Sequence, residues 1–164
     1  MSRKRSNRRA RPLWNPLVVA RNQATALTPA ELAQVMVPLR TAFEQLRRGL
    51  ASDSDWCVLA GSVGMAGNIE KQGVVRGLSE HLAAADRTLV AIETRATQAG
   101  PWRSPTLYFS EIDALHTFVD LHEFQLKQLS YGEFRRAYLT TEGQVRSRGG
   151  AVVRLSSMEV AHAT

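Results

Sequence analysis

Cysteine is all but missing. Cys57 is the only one among 164 residues, so no intramolecular disulfide can form and a disulfide-stapled secreted scaffold is excluded. Long hydrophobic runs are missing too, since no apolar stretch approaches the roughly 18–20 residues that a membrane span needs. Leu13 to Ala20 is apolar but short, and Asn15 and Pro16 interrupt it, which makes a poor signal-peptide core. Acids are absent at the start, the first being Glu31. That is the composition of an organelle transit peptide, yet Arg3 to Arg11 is too dense in charge to form an amphipathic helix with an apolar face. Lysine is scarce, three against eighteen arginines, a bias that suggests a GC-rich genome and a bacterial or phage source. Cytoplasmic is the expected location.

Catalytic signatures are missing as well. There is no GxSxG, no phosphate-binding glycine loop, no HExxH and no paired-cysteine metal spacing. Cys57 has no local base and falls on a face expected to be buried, where a thiol is inert. The chain is therefore read as non-enzymatic, with no catalytic residue, no metal and no cofactor.

What is present is charge, concentrated in one place. Residues 1–12 hold Arg3, Lys4, Arg5, Arg8, Arg9 and Arg11 and no acid. The other 15 bases balance the 15 acids of residues 13–164, so the net charge of +6 belongs to the tail. Bases at this density neutralise phosphates and release counterions, giving sequence-independent affinity that falls steeply with salt. An extended arm can also follow a groove, where arginine favours a narrow minor groove. These six are the candidate nucleic-acid-binding residues. The competing readings are another acidic partner and a merely solubilising terminus. The aromatic interleaving of a single-strand binder is lacking, with Trp14 the one candidate stacker.

The chain divides into three parts. Residues 1–26 are a basic tail and linker; its first twelve residues cannot bury apolar surface and should be disordered when free. Trp14, Leu17 and Val18 could dock on the body. Residues 27–149 read as a helical bundle domain, and residues 150–164 as a loosely ordered C-terminal tail. The expected fold is all-α, a bundle of about five helices.

The bundle is organised around Ser110 to Leu129. Ile112, Leu115, Val119, His122, Leu126 and Leu129 recur at steps of three and four, the stripe of a helix facing a core. Ala114, Phe118 and Leu121 widen that face, so more than one partner helix should clasp it. Ser104-Pro105 could open this helix earlier, which would place Tyr108 on the same stripe and point Glu111 inward. The first helix has a full start signal, with Thr28 as N-cap, Pro29 at the first position, Glu31 completing a capping box, and Leu27 with Leu32 as a hydrophobic staple. Its stripe runs from Leu32 to Leu50, with a kink expected before Pro38. A second helix, from about Ser54 to Gln72, is apolar nearly all round. Gly61, Gly64 and Gly67 recur in it, each costing roughly 1 kcal/mol against alanine, and close approach of a neighbouring backbone is the expected compensation. A third helix is read over about Val74 to Gln98. A fifth starts at Ser130 with Glu133 and ends before Gly149-Gly150, with Phe134, Tyr138, Thr141 and Val145 inward. The second and fourth helices should be the most enclosed.

Three further groups of residues invite a functional reading. Asp113, His116, Asp120 and Glu123 share one helix face, but it lies opposite the apolar stripe, so solvated charges describe them better than a metal site. Glu111 and His122 sit among apolar neighbours and need partners; an arginine or an indole N–H from another helix, Trp56 among them, would serve. Arg135, Arg136, Arg146 and Arg148 decorate the fifth helix as a groove-reading helix would be decorated. Glu133 and Glu142 dilute that charge, and the preceding helix is too long for a compact helix-turn-helix.

The segments LTPAEL, EKQGVVRGL and FVDLHEFQLKQLS, behind a short Arg-rich start, resemble small proteins of proteobacterial phages, prophages and plasmids. The resemblance covers most of residues 27–149, and none of these segments is a functional motif. Such proteins are mostly of unknown role, some described loosely as regulators, so no site residue carries over. Two functions stay open. One is a nucleic-acid-associated accessory or regulatory protein of a phage or mobile element. The other is a structural or adaptor protein of a phage particle, or a host-directed protein-binding module. The partner is nucleic acid or protein, with a homodimer among the options and no membrane.

Overall fold

The backbone forms helices wherever the apolar spacing is three and four. In the computed structural model, which describes residues 23–100 and 105–147, these are α1 (Pro29–Arg47), α2 (Asp53–Lys71), α3 (Ser79–Ala99), α4 (Phe109–Gln128) and α5 (Tyr131–Ser147). Among the described residues there is no strand, only an isolated bridge between Ala26 and Ser130. The six basic residues of the tail, and the disorder expected of that tail, lie outside the described residues.

α1 and α3 each pack against two other helices, α4 against three and α5 against α2, while α2 touches all four. Arg40 of α1 pairs with Glu123 of α4, while Phe43, one turn on, meets the ring of His116, one to two turns back. These two helices are therefore antiparallel. Arg95 near the end of α3 reaches Glu111 near the start of α4. Helices α1 to α4 close an up-down-up-down ring, and α5 lies across the outside of α2. Leu39, Leu46, Leu59, Ile69, Ile92, Leu115, Phe118 and Leu126 fill the centre with less than 2 % of their surface exposed.

The helix starts are set by short polar residues. Thr28 and Glu31 exchange hydrogen bonds as a capping box, and so do Ser130 and Glu133. α2 has a box of its own: Asp55 accepts from the Ser52 N–H at 2.8 Å and Ser52 Oγ accepts from the Asp55 N–H. Its helix accordingly begins at Asp53, one residue before the expected start. α1 continues as one helix through Pro38.

Several expectations are corrected. α3 begins at Ser79 instead of Val74, because Gly73 and Gly77 take φ of +76° and +87°, values that suit glycine and end a helix. Glu70 then caps α3 from the last turn of α2, accepting from the Leu78 N–H at 3.0 Å and from Ser79 Oγ at 2.8 Å. α4 starts at Phe109 and not at Ser104-Pro105, which leaves Tyr108 57 % exposed. Leu50 lies beyond α1 and is solvent-facing, and Tyr138 is half exposed. Cys57 is exposed as well. The glycines of α2 meet no close backbone: a Cβ at Gly61 or Gly67 would find nothing within 4 Å, and one at Gly64 only Thr141 Cγ2 at 3.8 Å.

Candidate functional site

The charged surface of the body is mostly self-neutralised. Glu123 holds both Arg40 and Lys127, Arg47 pairs with Glu44, and Arg146 reaches Glu142 at 2.5 Å. The Lys127 hydrogen bond, helped by the charges of Arg40 and Lys127, holds the Glu123 carboxyl below its usual range against the opposing effect of burial. His116 lies 3.4 Å from Asp120, both well exposed. No group of three or more His, Cys, Asp or Glu among the described residues could hold a metal ion. Asp113, His116 and Asp120 are exposed, while Glu123 is partly buried and pairs across to Arg40 as well as within its own helix to Lys127. No described helix is long and apolar enough to cross a membrane.

α5 follows α4 with only Leu129 and Ser130 between them, yet it swings away to pack on α2. A compact helix-turn-helix needs its two helices packed together, and these two are not. What ties α5 down is Asn68, which is buried and donates to Thr141 Oγ1 at 2.9 Å and Gln144 Oε1 at 3.0 Å. Ala137 is its only buried residue. Arg135 and Arg136 project outward and form no ion pair among the described residues.

Glu111 has the kind of partner a buried carboxylate needs, and it is Arg95 rather than Trp56. Arg95 Nη2 donates to Glu111 Oε2 at 2.6 Å, and the Tyr108 N–H donates to the same oxygen at 2.9 Å. Burial pushes this carboxyl up. The Arg95 hydrogen bond, the Tyr108 N–H and the Arg95 charge outweigh that, and its pKa ends below the usual value. The guanidinium also lies 4.6 Å from the centre of the Tyr108 ring and donates to the Thr106 carbonyl at 3.3 Å. One arginine thus gathers residues 106–111 onto the end of α3. That is a structural clamp.

His122 is fully buried, stacked on Phe118 with ring centroids 5.6 Å apart. Gln125 Nε2 donates to the Ala66 carbonyl, 3.4 Å away. That contact turns Gln125 Oε1 towards His122 Nδ1, at 3.2 Å. An amide oxygen only accepts, so Nδ1 carries the proton and Nε2 is left as a bare lone pair, without a hydrogen-bond partner. Burial drives the imidazole pKa down to about 4, the Gln125 hydrogen bond opposing only in part. Near neutral pH this is an uncharged polar group inside the core.

Arg95, Asn68, Gln125 and Glu70 all escaped the reading of periodicity. Each acts across a helix pair or a turn, and none sits at a spacing that singles it out. Only the buried position of Glu111 signalled that a cation had to exist somewhere.

No protein-family model, no curated protein and no solved structure matches this chain.

Proposed function

We propose that this chain is a non-enzymatic, nucleic-acid-associated accessory or regulatory protein of a phage or mobile element, working in the cytoplasm. Arg3, Lys4, Arg5, Arg8, Arg9 and Arg11 contact phosphates, and the helical body acts as the platform they are tethered to. The observation that carries this reading is the partition of charge, with all of the net +6 in residues 1–12 and a neutral body. A protein that needed charge only for solubility could spread it over the surface. Here the body's bases and acids balance, and Arg40, Arg47, Arg95, Lys127 and Arg146 pair with its own carboxylates.

The experiment is fluorescence anisotropy with labelled duplex DNA, single-stranded DNA and RNA, comparing the full chain with one lacking residues 1–12. If the tail neutralises four to six phosphates, log affinity falls against log salt with a slope of roughly −4 to −5 on duplex DNA. Deletion then removes the tail's share of that slope. Equal, weak binding by both chains defeats the reading.

A second reading, a structural or adaptor protein, is favoured by one specific feature. Leu50, Tyr108 and Phe109 are 68 %, 57 % and 84 % exposed, and lie where the end of α1 meets the start of α4. Co-purification of a protein partner that Phe109→Ser releases, without nucleic-acid binding, would favour it.

A further inference from the structure

We propose that the outward arc of α5 is a second phosphate-contacting surface, with Arg135 and Arg136 seated on the backbone of a nucleic-acid duplex. The inference rests on the nucleic-acid reading above but uses different residues, and it can fail separately.

The argument begins with how little of α5 the fold uses. A helix turns by about 100° per residue, so Ala137, Thr141 and Gln144 share one narrow face. That face lies on α2, held by Asn68 and by the single fully buried residue, Ala137. The rest of the circumference carries Arg135, Arg136, Leu139, Gly143 and Arg146, all exposed, with the partly exposed Glu142 among them. Nothing in the described bundle covers it.

The acids nearby are already committed. Glu133 folds back on Ser130, accepting from its N–H at 2.8 Å and its hydroxyl at 2.7 Å. Glu142 is taken by Arg146 at 2.5 Å. Arg136 acts on Glu133 only through space. The other exposed cations without an ion pair among the described residues are Arg48, Lys71, Arg76 and Arg87, and no two of them are neighbours in the chain. Only α5 sets two such guanidiniums side by side, and guanidinium is the side chain best matched to phosphate oxygens.

Relief and size fit the same occupant. Gly143 adds no side chain and Leu139 is apolar, and the one carboxylate on the strip between Arg135 and Arg146, Glu142, is held by Arg146. A helix of about 10–12 Å diameter lies against a duplex backbone or enters a major groove about 12 Å wide. Because α5 is attached along one face only, the bundle does not block that approach.

The test measures binding of the full chain to short labelled DNA and RNA duplexes between about 50 and 200 mM salt. Four chains are compared: wild type, Arg135→Gln/Arg136→Gln, Arg135→Lys/Arg136→Lys, and Arg48→Gln/Arg87→Gln, which removes the same charge elsewhere. At about −0.9 per phosphate, the first variant should show a slope shallower by about 2 and lose roughly tenfold less affinity over that salt range. The lysine pair should keep the wild-type slope, and so should the Arg48/Arg87 variant. Thermal melts report that all four fold alike. A wild-type slope in Arg135→Gln/Arg136→Gln overturns this surface and leaves the tail reading standing. An equal drop in both glutamine pairs also overturns it, since net charge alone would then explain the loss. No salt-dependent binding by the wild type overturns the tail reading and this one with it.

Discussion

The buried His122 should make this protein lose stability in mildly acidic solution. Its imidazole has a pKa of about 4 in the fold, against an ordinary value of 6.5. The unfolded chain therefore binds this proton far more readily than the folded one. Stability is intact above about pH 6.5, falls as the pH drops towards 4, and no longer changes from this source below that. The gap is worth about 3 kcal/mol in all, most of it lost between pH 7 and 4.5. Carboxylates act in a lower window. Glu31, Asp55, Glu111, Glu123 and Glu133 all have lowered pKa values in the fold, so their contributions disappear only as the pH falls below the ordinary carboxylate range. Glu93 works the other way, because burial raises its pKa and acid then favours the fold.

Urea unfolding of wild type and His122→Leu at a series of pH values separates these contributions, since every carboxylate is common to both chains. At pH 7 the variant should be the less stable, by about 1–3 kcal/mol, because Gln125 Oε1 loses its donor inside the core. Its stability should then change little down to pH 4.5, and the two curves should converge. Curves for wild type and His122→Leu that run parallel from pH 7 to 4.5 would refute the reasoning. So would an NMR titration placing the His122 pKa near 6.5.

Other consequences follow from the packing. Gly61→Ala and Gly67→Ala should each stabilise by about 1 kcal/mol, since the added methyl meets nothing and helix propensity improves; a lower melting temperature would show that the site is closed. Gly132→Ala should do the opposite, because its Cβ would lie 3.0 Å from the Gln23 carbonyl oxygen; an unchanged melting temperature would mean that this segment gives way freely. Glu111→Gln should cost about 1–3 kcal/mol by leaving Arg95 without its counter-charge, read as a lower urea midpoint, and a neutral result would mean that solvent already satisfies Arg95. Cys57, being exposed, should react with a thiol reagent in the native protein nearly as fast as in urea, and strong protection would contradict its placement.

The elements that were legible in the sequence are those governed by local rules. The start of α1 at Thr28-Pro29 and that of α5 at Ser130 are capping boxes written within four residues, and both form. The stripe of α4 is periodic enough to place Leu115, Phe118, His122 and Leu126 in the core unaided. The misplaced start of α3 has a non-local cause. α3 is capped by Glu70 from the previous helix, which no pattern around Ser79 announces. The α2 box uses aspartate at its third position, a shorter side chain than the usual glutamate. The glycines of α2 invite a packing explanation by analogy with close helix contacts, but their neighbours stand too far off to require it. At Tyr138 periodicity alone misleads: α5 has the spacing of a helix that buries a stripe, but only one helix lies beneath it. For the candidate site the limit is of another kind. A charge count finds the tail, while the pairing state of Arg135 and Arg136 depends on where Glu133 and Glu142 fold, which is decided in three dimensions.

The polar contacts inside the bundle have a purpose that an all-apolar core would lack. Leucine-rich helices can slide by a turn against each other at little cost in apolar burial, so burial alone specifies register poorly. In this bundle the level of α4 on α2 is marked by Gln125 reaching the Ala66 carbonyl, with His122 completing the Gln125 side chain. The level of α5 on α2 is marked by Asn68 bridging Thr141 and Gln144. A slip of one turn, about 5.4 Å, would leave the buried amides of Gln125 and Asn68 without their partners on the neighbouring helix, at about 1–3 kcal/mol each. A single register is therefore favoured. The net stability of each contact can be small, as is usual for buried polar pairs, while its effect on which packing wins is large. This also accounts for α5, whose apolar attachment is too thin to fix its position: it is the Asn68 bridge that orients the helix and turns Arg135 and Arg136 outward.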